Sequence, residues 1–243
     1  MNFSRYIPVL VVASTLGGST GIKADGDGTI INLFSTGLTN ANTFLAEGSV
    51  DSHWTLTSSP IGGNPTQLFV AVTDGFPLNS FWIPNGANGA NAQWLMPTSG
   101  LENDHPVGAY VMQTSFDYVG PLVENAFISF RMSSDNHVTD VLLNGHSLGI
   151  SWDSYTALSN QFTIDEDFFL NGVNSLQFLV LNDPVIGPNP TGLFVDFTNF
   201  GTLTATQLPE PSTMGLVGAA AGVGILLRRR RRTEALAKRH MES

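Results

Sequence analysis

The sequence predicts an all-β protein in which one jelly-roll β-sandwich lies between an N-terminal signal peptide and a C-terminal apolar helix. Short segments with alternating apolar residues recur roughly every 10–20 residues, and Gly, Pro, Asn and Asp clusters separate them. No long segment of the interior shows the 3.6-residue period of an amphipathic helix. About nine or ten short strands are typical of one domain built from two packed sheets. We therefore expect residues 25–200 to form a single β-sandwich.

The expected strands are the apolar segments between these turn signals. In the first half of the domain they are residues 29–34, 54–57, 68–73, 81–84 and 109–118. In the second half one strand places Ala126, Ile128, Phe130 and Met132 on one face, and the others are residues 138–143, 149–152, 161–164, 176–181 and 193–200. The dipeptide Asn144-Gly145 is expected to form a hairpin turn, because both residues tolerate positive φ.

The distribution of charge restricts the possible partners of this domain. Residues 25–208 contain 17 of the 20 acidic residues and a single basic residue, Arg131, so their formal charge is −16. Simple repulsion disfavours nucleic acid, anionic lipid and polyanionic sugars as partners. Neutral polysaccharide and divalent cations remain compatible with this charge. The chain has no cysteine, so an exported domain would depend on core burial and not on disulfide bonds.

The first 24 residues have the order of a secretory signal peptide. Arg5 precedes an apolar run at residues 7–16, and small and polar residues follow. About ten apolar residues are too few to span a bilayer, which argues against a permanent anchor. We expect cleavage after Ala24, with residue 21 as the alternative, and export across the inner membrane.

The C-terminal segment has the features of a short membrane anchor. Pro209 and Pro211 fix φ and lack an N–H, so Pro-Glu-Pro is expected to be extended and accessible. The 17 residues from Pro211 to Leu227 would form a helix of about 26 Å, close to the roughly 30 Å of a hydrocarbon core. A single transmembrane helix is therefore expected, with a linker at 201–207 before it. Basic residues after it are expected to stay cytoplasmic: Arg228, Arg229, Arg230, Arg231, Arg232 and the tail at 233–243.

The order of Pro-Glu-Pro, apolar helix and arginine cluster resembles the PEP-CTERM sorting signal of Gram-negative bacteria. The resemblance covers residues 208–232 and includes Pro209, Glu210 and Pro211. It implies that an exosortase recognises the motif while the chain is anchored in the inner membrane. The processed protein would then reach the cell surface or the extracellular matrix. One departure is the tail at 233–243, because the family usually ends soon after its arginines.

A second resemblance concerns the domain itself. About residues 45–200 are similar to galactose-binding-like jelly rolls. The similarity lies in Asp-Ser-His-Trp at 51–54, Asp-Asn at 135–136, Val-Leu-Leu-Asn-Gly at 141–145, Phe-Leu-Asn-Gly-Val-Asn at 169–174 and Thr-Gly-Leu at 191–193. Such domains occur in many PEP-CTERM proteins and in carbohydrate-binding modules. The resemblance implies a non-enzymatic structural or neutral-glycan-binding module, although strand and turn features inform the fold more than the function. Trp94, beside the amide-rich loop 85–91, is the expected sugar-stacking residue.

One motif offers an enzymatic alternative, a secreted hydrolase. Gly145-His146-Ser147-Leu148-Gly149 matches GxSxG, the nucleophile elbow of α/β-hydrolases. That elbow requires a strand before the serine and a helix directly after it. Here an Asn-Gly turn precedes the motif and residues 150–153 continue as apparent strand. We therefore predict no catalytic residues.

Calcium is the expected metal, since it prefers carboxylate and carbonyl oxygens in loops. Asp25, Asp27, Asp135 and Asn136 are the candidate ligands of one structural Ca²⁺. Zinc is not expected, because the five histidines are scattered and no cysteine accompanies them.

Overall fold

Eleven β-strands and one short 3-10 turn make up the regular structure of the described residues. The computed structural model describes residues 28–63, 65–74, 77–78, 80–99, 104–120, 126–165 and 168–202. The strands, numbered in chain order, are β1 (Thr29–Ile31), β2 (Val50–Ser58), β3 (Gln67–Val70), β4 (Leu95–Met96), β5 (Gly108–Val119), β6 (Ala126–Asp135), β7 (His137–Leu143), β8 (His146–Ser147), β9 (Phe162–Ile164), β10 (Gly172–Asn182) and β11 (Gly192–Thr202). The 3-10 turn is Ala87–Gly89. The predicted all-β class is confirmed.

The strands form one antiparallel hydrogen-bonded path that curls over on itself. The front half has the order β8-β7-β10-β5-β2, with β1 also paired to β5, and the back half has the order β3-β4-β11-β6-β9. Aromatic rings meet between the halves: the ring centroids of Phe178 on β10 and Phe130 on β6 are 5.6 Å apart. Trp54 on β2 and Phe197 on β11 are 6.3 Å apart. The two halves therefore enclose one core, as the predicted sandwich requires.

Alternation of buried and exposed side chains follows the strands that line this core. On β10, Leu176, Phe178 and Val180 are fully buried, while the residues between them are only half-buried. The predicted common face of β6 is confirmed, because Ala126, Ile128, Phe130 and Met132 are all buried. A smaller second core lies beside the main one and includes Trp82, Ile83, Trp94, Met96 and Phe194. Apolar burial of this extent is the main stabilising contribution in a domain without disulfides.

Two of the predicted strands are wrong. Residues 81–84 form turn and irregular structure, since Trp82 and Ile83 are consecutive and both buried in the second core. Residues 149–152 make only an isolated bridge, between Val138 and Trp152. The sequence pattern missed β4 and β8, because two-residue strands are too short to show alternation. Strand β11 extends to Thr202, two residues into the predicted linker.

The predicted hairpin at Asn144-Gly145 is confirmed. Both residues have positive φ, 53° and 82°, as a two-residue type I′ turn requires, and β7 pairs with β8 across it. The Asn144 Nδ2 donates to Asn174 Oδ1 at 2.8 Å, and Asn144 Oδ1 accepts from the backbone N–H of Ser175 at 2.9 Å. Asn174 in turn accepts from Leu170 N and donates to Leu170 O. These two asparagines connect the β7–β8 turn to the start of β10.

Arg131, which is the only Lys or Arg among the described residues, has a structural role. It lies on β6 opposite Asp196 on β11, and its Nη2 is 2.6 Å from Asp196 Oδ2. The second oxygen of Asp196 accepts from the backbone N–H of Asn91 at 3.1 Å. Because the Asp196 side chain is only 6% exposed, this pair satisfies a buried carboxylate. The one guanidinium of the domain is thus paired with a carboxylate of the protein itself.

Asn174→Ala is expected to lower the free energy of unfolding by about 2–4 kcal/mol, because it removes the side-chain partner of the Leu170 N–H, of the Leu170 and Gly172 carbonyls and of one Asn144 amide hydrogen in a buried site. Asn171→Ala, three residues away, is the matched control. Its side chain is exposed and donates one hydrogen bond, to Gly120 O, so a loss of about 1 kcal/mol or less is expected. Urea denaturation of the two variants measures the difference. Equal losses would contradict a structural role for the network.

Candidate functional site

A polar groove lies on the outer face of the front half. It has a volume of about 480 Å³ and lies where β2 and β5 meet the loop after β1. Neutral amides and hydroxyls dominate its lining, and His53 is the one titratable residue in it: Asn32, Phe34, Asn40, Ser52, His53, Thr55, Gln113 and Ser115. We refer to this set as the polar groove. A surface of this kind can exchange hydrogen bonds with water or with sugar hydroxyls without an ionic contact.

Ring stacking and hydrogen bonds hold the groove side chains in place. The rings of Phe34 and His53 are stacked with centroids 3.9 Å apart, and His53 Nε2 is 2.6 Å from Asn40 Oδ1. On the neighbouring strands, Gln177 Nε2 donates to Gln113 Oε1 at 2.8 Å. The groove therefore offers a pre-organised patch of amides next to one aromatic pair, which limits the ordering cost of binding.

A buried carboxylate supports the groove from below. Asp51 is 1% exposed and accepts hydrogen bonds from the backbone N–H groups of Gly37, at 2.7 Å, and His53, at 2.8 Å. Burial raises the pKa of the Asp51 carboxyl above its usual value, while these two backbone donors act in the opposite direction. Asp51 thus fixes the start of β2 and the position of His53.

Trp94, the residue expected to stack on a sugar, lies in the second core. Its side chain is 0% exposed, and its indole Nε1–H donates to the carbonyl of Ile83 at 2.9 Å. Its ring stacks on that of Trp82, with centroids 4.1 Å apart, and meets the edge of Phe194. The structure thus corrects the expected exposure, because no face of this ring is open to a ligand. A tryptophan beside a polar loop can be either an exposed sugar-stacking residue or a core residue, so the sequence could not distinguish the two roles.

Asp135 and Asn136, two of the expected calcium ligands, lie at the end of β6. Asp135 is 5% exposed and its Oδ2 accepts from the Trp82 indole N–H at 2.7 Å. Asn136 Oδ1 accepts from the backbone N–H of Asp183 at 2.7 Å. Burial raises the pKa of Asp135 to about 6, although the Trp82 hydrogen bond acts to lower it. The two side chains are adjacent, and each has an oxygen engaged in the protein itself.

These two residues alone do not make a calcium site. Calcium takes six to eight oxygen ligands, and the described residues contain no group of three or more His, Cys, Asp or Glu side chains arranged to hold a metal ion. The other two expected ligands, Asp25 and Asp27, lie outside the described residues. Calcium binding therefore stays a prediction.

The GxSxG segment lies in the β7–β8 hairpin. His146 and Ser147 form β8, and both side chains are exposed. The His146 ring stacks on Phe168 with centroids 4.4 Å apart, and Ser147 Oγ accepts from the backbone N–H of Gly149 at 3.3 Å. Residues 148–151 are irregular and not helical, so the strand–turn–helix geometry of a nucleophile elbow is not formed here.

Several predicted features lie outside the described residues: the signal peptide at 1–24, the motif residues Pro209, Glu210 and Pro211, the helix up to Leu227, the arginines at 228–232 and the tail at 233–243. The chain divides into two units, residues 1–202 and residues 203–243. The whole second unit lies outside the described residues. Within the residues that are described, no helix has both the length and the hydrophobicity to cross a membrane.

The same C-terminal segment gives a direct match to a known sequence family. Residues 207–232 match the family described as the PEP-CTERM protein-sorting motif. The chain carries a PEP-CTERM sorting signal. The resemblance predicted for residues 208–232 is therefore confirmed. The signal marks this protein for export and sorting to the cell envelope, and it implies processing by an exosortase.

Comparison with other proteins adds little about the domain. No curated protein matches the chain. Among solved structures, the chain is similar to a family 35 carbohydrate-binding module from an environmental isolate, with 15% identity over 44% of this chain and 77% of that one. The TM-score is 0.23. At this score the similarity carries no argument about the fold or about ligands.

Most of the polar groove could not have been predicted from sequence. Asn32, Asn40, His53 and Gln113 come from three segments separated by up to 81 positions. Asp-Ser-His-Trp at 51–54 is the one local signal, and it indicates a strand start without saying which side chains lie beside it. Pairing of β2 with β5 brings these residues together.

Asp135→Asn is expected to change the pH dependence of stability. Between the ordinary pKa of 3.8 and the folded-state value of about 6, the folded protein retains a proton that the unfolded chain has released. The contribution of Asp135 to the free energy of unfolding therefore falls as the pH rises through this window. The amide variant lacks this loss, so its stability relative to the native protein should be higher at pH 7 than at pH 4, by up to about 3 kcal/mol.

The measurement is urea denaturation of both proteins at several pH values between 4 and 7. The comparison with the variant is needed because burial also lowers the pKa of His105 to about 4. Its contribution to stability is lost as the pH falls from about 6.5 towards 4, opposite in sign to that of Asp135. If the free energies of unfolding of the two proteins differ by the same amount at every pH in this range, the raised pKa of Asp135 is contradicted.

Removal of calcium tests the remaining metal prediction. A structural ion bound only by the folded protein stabilises it by mass action, so EDTA is expected to lower the Tm of the full-length chain and added CaCl₂ to restore it. Asp135→Asn should make the Tm insensitive to both additions if Asp135 is a ligand. An unchanged Tm of the native protein in EDTA would contradict a structural calcium ion.

Proposed function

We propose that this protein is an exported component of the cell surface or extracellular matrix. Its C-terminal helix would anchor it in the inner membrane with the arginines in the cytoplasm, and an exosortase would release it at or near Pro-Glu-Pro. The observation that carries this proposal is the PEP-CTERM match at residues 207–232. The signal-peptide pattern at residues 1–24 supports the same route.

After release, the β-sandwich acts as a non-enzymatic module that binds neutral polysaccharide through the polar groove. Three properties support this ligand class. The groove is lined by uncharged amides and hydroxyls, the stacked pair Phe34–His53 borders it, and the domain around it has an excess of carboxylates. Neutral sugars require hydrogen bonds and apolar ring faces, whereas an acidic sugar would be repelled.

Changing both motif prolines, Pro209→Ala together with Pro211→Ala, is expected to leave the full-length chain in the inner-membrane fraction. Alanine removes the fixed φ values and restores two N–H groups, so the segment can join the helix that follows. Fractionation and immunoblotting of the native host measure the location. Pro60→Ala with Pro65→Ala, in the loop between β2 and β3, is the matched control and should be sorted normally. Normal surface display of the motif variant would contradict the proposal.

Binding of the full-length chain to an array of neutral and acidic glycans tests the groove. We expect binding to neutral glycans alone, and Gln113→Ala together with Ser115→Ala should weaken it about tenfold or more by removing groove hydrogen bonds. Thr139→Ala is the control, because Thr139 lies on β7 of the same half, outside the groove. The melting temperature of each variant shows whether it is folded. If the protein binds no neutral glycan on the array, glycan binding is contradicted and a structural role is favoured.

A further inference from the structure

A second concave site lies at the end of β6, away from the polar groove. The cavity has a volume of about 200 Å³, and the loop after β10 and the segment before β4 contribute to it. Its lining includes Phe81, Asp135, Asn136, Tyr155, Val185 and Ile186. Drug-sized ligands occupy cavities of about 300–1,000 Å³, so this one has room for a single ring.

Exposed apolar side chains surround this cavity. Phe81 is 55% exposed, Val185 is 49% exposed and Ile186 is completely exposed. Three such residues around one opening form an apolar rim of the kind that can contact an apolar group of a ligand. Phe81 and Tyr155 also supply aromatic rings to the lining. The apolar part of a ligand could therefore contact side chains both around the opening and inside the cavity.

The cavity contains one carboxylate that lacks a cationic partner. Asp135 is 95% buried, and the neutral Trp82 indole N–H is its donor, on Oδ2. His137, two residues along the chain from Asp135, contacts Asp183 instead, with Nδ1 and Oδ2 3.4 Å apart. Arg131, the only Lys or Arg among the described residues, is paired with Asp196. A buried carboxylate without a positive partner is costly, and among the described residues the contact that offsets this cost is the Trp82 hydrogen bond.

We propose that this cavity binds a compact organic ammonium ion, a protonated amine carried on a single ring. The ammonium group would pair with the Asp135 carboxylate, and the ring would lie against Phe81 and Tyr155. A cation over aromatic rings gains further electrostatic stabilisation. The acidity of the domain attracts cations to the opening and repels anions. An amino sugar and a cyclic aliphatic amine share this chemistry, and the site does not depend on the polar groove.

Isothermal titration of the full-length chain at pH 7 in EDTA tests the proposal. The probes are glucosamine and cyclohexylamine, each with its neutral analogue, glucose and cyclohexanol. We expect at least one amine to bind about tenfold or more tightly than its analogue, since the ion pair forms with the amine alone. Tighter binding of glucosamine identifies an amino sugar as the source, and tighter binding of cyclohexylamine identifies an apolar amine. Both results support the site.

Three variants locate the binding. Asp135→Asn should abolish the preference for the amine, and Phe81→Ala, at an exposed position, should weaken binding several-fold. Asp165→Asn removes the same charge at an exposed position outside the cavity and should bind as the native protein does. The proposal is overturned if neither amine binds at millimolar concentration, if Asp135→Asn retains the preference, or if Asp165→Asn loses it equally. Calcium binding that depends on Asp135, without any amine binding, would also overturn it.

Discussion

The packing of the front half against the back half is the interaction on which the rest of the structure depends. Trp54 and Phe178 from the front meet Phe130 and Phe197 from the back in one aromatic cluster. Because side chains alternate across each strand, burial of one face determines which residues lie on the other. Gln113 and Ser115 alternate with buried Met112, Thr114 and Phe116 on β5, and so they lie on the outer face. The polar groove is thus a consequence of the core.

A second chain of contacts leads from the smaller core to the cavity at the end of β6. Phe194 meets Trp94, Trp94 stacks on Trp82, and the Trp82 indole binds the Asp135 carboxylate. The close approach of this stack to β11 requires a glycine, because a Cβ at Gly192 would lie 2.4 Å from the Trp82 ring. Trp94 therefore has a positioning role two contacts away from the cavity. Trp94, which the sequence suggested as a sugar-stacking residue, thus packs against the tryptophan that holds the Asp135 carboxylate.

The domain and the segment near the C-terminus differ in the sign of their charge. The domain has 17 acidic residues and one arginine, whose guanidinium is bound to Asp196, so the surface of the domain is almost entirely without positive charge. Five consecutive arginines follow the apolar segment near the C-terminus, the order from which a cytoplasmic location of these arginines is predicted. An acidic domain also avoids adhesion to anionic lipid. This distribution is consistent with the sorting to the cell envelope that the C-terminal signal indicates.

The sequence by itself determined the features that depend on local pattern. Period-two alternation identified most of the long strands, Asn144-Gly145 identified a turn from its φ preference, and the Pro-Glu-Pro, apolar and arginine order identified the sorting signal. Only the tertiary structure decided whether Trp94 is exposed and which residues meet in the groove and the cavity. Those properties depend on pairing between residues far apart in the chain, such as β2 with β5 and Trp82 with Asp135. Local propensity and periodicity describe which face of a strand is apolar, but not which distant side chains will lie against it.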